Sequence, residues 1–158
     1  MIRNPITPRG YAALLEELKH HKEVLRPRIV RDIEEARAHG DISENSEYED
    51  AKERQSLCEG RIAELEHRLS TAEVIDVTKL PKSSRVVFGT TVVISNQNSG
   101  EERRWTIVGE TEADVESGKI SLKSPLGAAL VGRSVGDEVV VPAPAGRQVW
   151  DVIEVHYE

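Results

Sequence analysis

The chain has 158 residues, a formal net charge of −7 at neutral pH and only 4% aromatic residues. This length allows one ordinary domain or two small ones, and the composition is typical of a globular protein rather than a fibrous or disordered one. Acidic residues outnumber basic ones on both sides of residue 80. We therefore do not expect nucleic acid to be bound through the overall charge, because that mode requires a basic surface.

The sequence shows no targeting or membrane segment. The N-terminal stretch MIRNPITPRG lacks the apolar core of a signal peptide, and no apolar run is long enough to span a bilayer. Cys58 is the single cysteine, which excludes an intramolecular disulfide and a cysteine-rich metal site. We expect a cytoplasmic protein that does not associate with membranes.

The first half of the chain begins with a predicted long helix. Thr7 followed by Pro8 is typical of an N-cap with proline at the first helical position. Apolar residues then recur at helical spacing as far as Ala36, and Pro27 inside this run predicts a kink or a distorted turn. Gly40 follows three residues that suit a last helical turn, so it indicates the end of this helix.

A second predicted helix carries a regular apolar seam. Its seam residues, mostly apolar or small, are separated by alternating steps of three and four, which is a heptad pattern. The seam residues are Tyr48, Ala51, Gln55, Cys58, Ile62, Leu65, Leu69 and Ala72. Two helices with narrow seams and a short polar connection bury each other, so we predict an antiparallel coiled-coil hairpin over residues 1–78. Because the hairpin satisfies its seam within one chain, we expect a monomer.

From about Arg85 the hydrophobic period changes from helical to alternating. Turn signals at Asn98-Ser99-Gly100 and Gly136-Asp137 separate the predicted strands, and residues 125–131 predict a short helix. The strand segments are RVVFGTTVVIS, RRWTIVGE, KISLKS, DEVVVPA and VWDVIEVHYE. The sequence thus predicts an α+β protein of two domains, with a linker at residues 76–84 and a β-rich domain over residues 79–158.

The connection between the two predicted helices, HGDISENSEYED, is crowded with carboxylates. Asp41 and Glu44 are three residues apart at the predicted helix start, a spacing that fits a capping box. The same pair can reach one Mg²⁺, but this ion takes about six oxygen ligands, so two carboxylates form only half a site. Capping explains two carboxylates and leaves Glu47, Glu49 and Asp50 unexplained.

Basic and aromatic residues also lie close to this connection. Arg37 and Lys52 are within about two helical turns of it on the two helices. They are either contacts for a phosphate backbone or solvated surface charges. Tyr48 either opens the apolar seam or packs on a base.

Six motifs are distributed over essentially the whole chain: EARAHGDISENSEYEDAKERQ, CEGRIAELEHRL, AEVIDV, RVVFGTTVVI, ISLKSPLGAALVGRSVGDEV and the closing VIEV. Together, and in this order, they resemble the Gre family of bacterial transcript-cleavage factors. The resemblance implies a coiled-coil hairpin that enters the secondary channel of bacterial RNA polymerase, and an FKBP-like C-terminal domain that docks near the channel mouth. It also implies an accessory factor rather than an enzyme, because the polymerase performs the hydrolysis.

The resemblance further implies roles for individual residues. Asp41 and Glu44 would help to hold a Mg²⁺ ion in the polymerase active site, only within the complex, and so stimulate cleavage of backtracked RNA. Arg37 and Lys52 would lie near the RNA 3′ end. The residues expected to face the polymerase are Ser124 and Pro125.

Two other functions remain open. Extra tip acids, here Glu47, Glu49 and Asp50, are also found in Gre-like proteins that block the channel instead of stimulating cleavage, although retention of Asp41 and Glu44 favours cleavage. A prolyl isomerase is suggested by the implied FKBP-like fold alone, and fold does not imply function. Its proline pocket would need aromatic walls, and the C-terminal half offers only Phe88, Trp105, Trp150 and Tyr157.

Overall fold

The computed structural model describes residues 3–39 and 46–158, which form two compact units. The first unit contains Tyr11–Ala72, and the second contains Arg3–Gly10 together with Glu73–Glu158. As predicted, the chain forms a helical hairpin followed by a β-sheet domain that contains one short helix.

The N-terminal segment belongs to the second unit, whereas the predicted boundary between residues 78 and 79 had assigned it to the hairpin. Strand β1 (Asn4–Ile6) pairs with β2 (Ala72–Val74) in a two-stranded sheet. The Ile75 N–H then donates to the Ile6 carbonyl at 2.9 Å. This pairing was not predicted, because strands of three residues carry too little periodicity to be detected.

Three α-helices build the hairpin. They are α1 (Pro8–His20), α2 (Arg26–Ala38) and α3 (Ser46–Thr71). The predicted N-cap of α1 is confirmed, since the Gly10 N–H donates to Thr7 Oγ1 at 3.0 Å. Helix α2 ends before His39, in agreement with the predicted end, while Gly40 itself lies outside the described residues.

A π-helical segment, His21–Leu25, joins α1 to α2. The Arg26 N–H donates to the carbonyl of His21, five residues earlier. Pro27 follows directly, and its ring and missing N–H are incompatible with an undisturbed α-helical ladder. The distortion predicted near Pro27 is thus confirmed, and it takes the form of a wide turn before the proline.

The predicted seam forms the hairpin core. Ile29 and Ile33 of α2 pack with Ala51, Cys58 and Ile62 of α3, and Leu65 is fully buried. Leu18, Leu25 and Tyr48 pack against this cluster and remain half-buried. The heptad pattern therefore identified the buried face of α3 correctly.

The second unit is built on a five-stranded sheet with strand order β5-β4-β3-β7-β6. Only β4 and β5 are parallel, and the other neighbouring pairs are antiparallel. The strands are β3 (Thr91–Asn96), β4 (Glu102–Val108), β5 (Lys119–Ser121), β6 (Glu138–Ala143) and β7 (Gly146–His156).

Helix α4 (Pro125–Leu130) confirms the predicted short helix and covers the core of this unit. Leu130 is fully buried in a cluster with residues from all five strands and with Val86. The predicted first strand, residues 85–95, is shorter than expected. Arg85 makes an isolated bridge with Ser134, a turn follows, and regular pairing begins only at Thr91.

The predicted linker is partly ordered by packing. A 3₁₀ turn, Val77–Lys79, lies inside it, and Val77 is 5% exposed. The Thr78 hydroxyl and backbone N–H donate to Asp76 Oδ1 at 2.6 and 3.0 Å and lower the pKa of that carboxyl. In residues 3–39 and 46–158, no helix is both long and apolar enough to cross a membrane.

Candidate functional site: the helix ends around the acidic connection

The two predicted metal-assisting acids, Asp41 and Glu44, lie outside the described residues. The described chain reaches His39 on one side of them and resumes at Ser46, the first residue of α3. The site is therefore defined by the residues that end α2 and begin α3.

Arg37 in the last turn of α2 reaches across the hairpin to α3. Its guanidinium carbon lies over the ring of Tyr48, 6.0 Å from the ring centroid. The Tyr48 ring is half-buried and packs on the hairpin core, while Arg37 is exposed. Within the described part of the chain, no carboxylate lies at ion-pair distance from Arg37.

Lys52, the second predicted basic residue, is exposed on α3 one turn after Tyr48. Its Nζ donates to Gln55 Oε1 at 3.2 Å, a contact between neutral and charged groups on the same helix. The charge of Lys52 is thus available to an external anion.

Two of the three extra acids, Glu47 and Asp50, lie close to basic side chains. Glu47 Oε2 lies 3.6 Å from His39 Nδ1, an ion pair when the imidazole is protonated. Asp50 lies 3.2 Å from Arg54 Nε, and Arg54 also reaches Asp32 of α2 at 3.0 Å. The hydrogen bond to Asp32, ahead of that to Asp50, raises the pKa of Arg54.

Ion pairs also join α2 to α3 further from the acidic connection. Arg26 makes a bidentate contact with Glu59, at 2.9 and 2.7 Å. Arg54 pairs with Asp32 nearer the connection. As residue numbers rise along α2, those of the partners on α3 fall, so the two helices are antiparallel.

The residues predicted to face the polymerase begin helix α4. The Ser124 hydroxyl accepts a hydrogen bond from the Gly127 N–H at 3.1 Å and donates one to the Ser121 carbonyl at 2.7 Å. Ser124 is therefore the N-cap, and Pro125 is exposed at the first helical position. Ser124 thus caps α4 through its side chain, and the role of Ser124 and Pro125 in facing the polymerase stays a prediction.

The aromatic residues of the second unit are engaged in its own structure. Trp150 is 8% exposed within the core cluster, Trp105 packs against that cluster, and Phe88 is also buried. The Tyr157 hydroxyl donates to the Arg85 carbonyl at 2.7 Å. The side chains that a proline pocket would need thus pack the domain instead, which disfavours a prolyl isomerase.

A metal site confined to the described residues is not observed. In residues 3–39 and 46–158, no group of three or more His, Cys, Asp or Glu side chains is arranged to hold an ion. Cys58 is buried and its thiol lies 3.9 Å from the His21 carbonyl, and burial raises the pKa of this thiol. Cys58 is therefore a packing residue rather than a thiolate ligand or nucleophile.

Comparison with known proteins assigns the family. Residues 4–74 match the model described as "Transcription elongation factor, N-terminal", and residues 81–157 match "Transcription elongation factor, GreA/GreB, C-term". The chain therefore belongs to the GreA/GreB family of transcription elongation factors.

Individual relatives match along their whole length. The chain is 53% identical over 157 residues to the transcription elongation factor GreA of Methylobacterium sp. (strain 4-46), covering 99% of both proteins. It is 49% identical over 156 residues to the factor of the same name from Xanthomonas axonopodis pv. citri, again covering 99% of both. Among solved structures, GreA factor homolog 1 of Thermus thermophilus is 29% identical, with 98% of this chain and 99% of that chain covered and a TM-score of 0.43.

Proposed function

We propose that this protein is an accessory factor of bacterial RNA polymerase that stimulates the polymerase's own cleavage of backtracked RNA and so rescues arrested elongation. The family match over both halves of the chain carries this proposal. The hairpin supports it, because its two helices end on either side of the connection that holds Asp41 and Glu44. A hairpin of this kind suits insertion into a channel such as the polymerase secondary channel.

Asp41 and Glu44 supply carboxylate oxygens, the ligands that Mg²⁺ prefers. Two carboxylates provide only part of its six-oxygen set, so the donor chemistry fits an ion shared with the polymerase rather than one held by the free protein. In such a site the ion would activate the attacking water and offset charge on the scissile phosphate. The chain's own contribution is then to place two carboxylates beside a metal that its partner already holds.

Arg37 and Lys52 are proposed to contact phosphates near the RNA 3′ end. Both side chains are exposed, one on each helix beside the connection, and neither has a carboxylate partner within the described ranges. An unpaired cation binds a phosphate without first breaking an internal ion pair. Ser124 and Pro125 are proposed to face the polymerase from the second unit.

The alternative function, a factor that blocks the channel, is motivated by the extra acids of the connection. Glu47 and Asp50 lie at ion-pair distance from His39 and Arg54, whereas Glu49 has no such partner within residues 3–39 and 46–158. Asp50, paired with Arg54, contributes less free negative charge to a metal site, and Glu47 does so when His39 is protonated. This arrangement favours stimulation of cleavage over inhibition.

The deciding experiment uses a bacterial RNA polymerase stalled in a backtracked complex with 5′-labelled RNA. We expect wild-type protein and Mg²⁺ to shorten the RNA rapidly, and Asp41→Ala or Glu44→Ala to slow that shortening by roughly 100-fold or more, as for loss of an electrostatic contact to a transition state. Glu49→Ala is the matched control, since it removes a nearby acid that is not assigned to the metal.

Competition between labelled wild-type protein and each variant for the polymerase separates binding from cleavage. Retained competition by Asp41→Ala supports a role in the reaction, whereas equal loss of competition would make the two acids structural caps. Slowed nucleotide addition without RNA shortening by the wild type would establish the inhibitory alternative.

A further inference from the structure

Arg37 contacts an aromatic ring, whereas the arginines that join the hairpin helices contact carboxylates. Arg26, Arg54 and Arg61 each contact carboxylates at 2.6–3.2 Å. Arg37 instead lies over the aromatic ring of Tyr48. A carboxylate neutralises the arginine that it holds, whereas a ring attracts the cation through its quadrupole and leaves the positive charge in place.

We propose that Tyr48 is a positioning residue that holds the Arg37 guanidinium ready for a phosphate of the RNA 3′ segment. The inference rests on the proposed function and adds to it a residue that contacts neither the metal nor the reacting atoms. Tyr48 acts on the RNA only through Arg37.

The packing of Tyr48 makes its ring a fixed support. The ring is half-buried against the cluster of Ile29, Ile33, Ala51, Cys58 and Ile62. A free arginine samples many rotamers, and fixing such a side chain on binding opposes affinity. A guanidinium already located over a packed ring loses less of this freedom when a phosphate binds, and its N–H donors are suited to two-point contact with phosphate oxygens.

A second contact crosses the hairpin at the same level. His39 at the end of α2 and Glu47 at the start of α3 lie 3.6 Å apart. Both contacts therefore join the end of α2 to the start of α3, the segments that flank the acidic connection. The Tyr48 ring thus lies beside Arg37 at the end of α2, four residues before Asp41 in the sequence.

The test is a double-mutant cycle in the backtracked-complex cleavage assay, with Tyr48→Leu, Arg37→Ala and the double variant. Leucine retains apolar packing at position 48 but removes the ring. An exposed cation–π contact accounts for about a two- to fivefold effect, so we expect Tyr48→Leu to slow cleavage by that factor. In the Arg37→Ala background, Tyr48→Leu should cause no further loss.

Three controls separate positioning from folding. Tyr48→Phe keeps the ring and should slow cleavage less than Tyr48→Leu does. Arg31→Ala removes an exposed charge from α2 that has no carboxylate partner within the described ranges, and should affect cleavage less than Arg37→Ala. Thermal unfolding of every variant identifies any loss of cleavage that follows from instability.

The outcomes are distinguishable. Equal loss from Tyr48→Leu with and without Arg37, or no loss at all, overturns the positioning role. If Tyr48→Phe is as slow as Tyr48→Leu, the ring is not the active group and the inference also fails. Absence of cleavage with the wild-type protein would instead contradict the proposed function itself.

Discussion

Arg61 of α3 donates two hydrogen bonds to the carboxylate of Glu17 on α1, at 2.6 Å from Nε and 2.9 Å from Nη2. Arg61 also lies 3.2 Å from Glu64, which in turn contacts Arg68 at 2.8 Å. The Arg61 hydrogen bond lowers the pKa of Glu17, and Arg68 and Arg61 together lower that of Glu64. This network joins the two helices away from the acidic connection.

Glu17→Gln should destabilise the hairpin, because it removes the charge of a bidentate pair between helices. Both partners are about one-third exposed, so solvent limits the effect to about 0.2–1 kcal/mol. Urea unfolding followed by circular dichroism measures the change. Glu16→Gln is the matched control, since Glu16 is exposed and has no ion-pair partner in residues 3–39 and 46–158; equal destabilisation by both variants would contradict the prediction.

The hairpin should lose stability in acid. The carboxyl groups of Glu17, Glu59 and Glu64 have folded-state pKa values below their ordinary value of 4.5, because arginines donate hydrogen bonds to them. A lowered carboxyl pKa stabilises the folded state above the ordinary value, and this contribution is lost as pH falls through the folded-state values. Melting temperature should therefore fall modestly below about pH 4.5, and by less in Glu17→Gln, because solvent weakens these exposed pairs. A melting temperature independent of pH in this range would argue against these pairs.

Gly127→Ala should destabilise the β-sheet unit. A Cβ at this position of α4 would overlap the backbone carbonyl of Ser121 and approach Ser124 Oγ to 3.0 Å. Overpacking against backbone costs roughly 1–3 kcal/mol. Gly60→Ala in α3 is the matched control, because nothing lies within 4 Å of a Cβ there, and alanine should stabilise the helix by about 1 kcal/mol. Thermal melts of the two variants should shift in opposite directions.

Glu112→Gln should also destabilise the second unit. The Glu112 carboxylate accepts hydrogen bonds from the Thr7 N–H at 3.2 Å, the Thr7 hydroxyl and the Gly109 N–H at 2.9 Å. An amide at this position has one acceptor oxygen with two lone pairs, so it loses at least one of the three bonds, and a loss of about 0.5–1.5 kcal/mol is expected. Denaturant unfolding measures the free energy of unfolding of each variant. The control Glu116→Gln should have the wild-type value, since Glu116 is exposed and has no ion-pair partner in the described parts of the chain.

Much of the fold was predictable because its signals are local. The heptad steps from Tyr48 to Leu69 predicted the buried face of α3, and Thr7-Pro8 predicted the start of α1. The β1–β2 pairing was not predictable, because it joins two strands of three residues from distant parts of the chain. The Ser124 cap was missed although Ser124-Pro125 repeats the pattern of Thr7-Pro8, which is the signal that could have identified it.

The candidate site was predictable in its residue types but not in its contacts. The roles of Asp41, Glu44, Arg37 and Lys52 stay predictions, as do the shared Mg²⁺, the monomeric state and the cytoplasmic location. The sequence places Glu47 and Asp50 among unpaired acids, whereas the structure pairs them with His39 and Arg54.

The sequence by itself determined the two-domain plan, the buried seam and the acids of the connection, because periodicity, capping and residue chemistry are properties of neighbouring residues. Tertiary structure decided which charges meet across the hairpin. Those contacts depend on the register of α2 against α3. The π-helical turn His21–Leu25 bonds over five residues instead of four, so it shifts which side chains of α2 face α3. A ring over Arg37 and a carboxylate against Arg54 therefore follow from packing, since each side chain reaches only the groups that this register brings beside it.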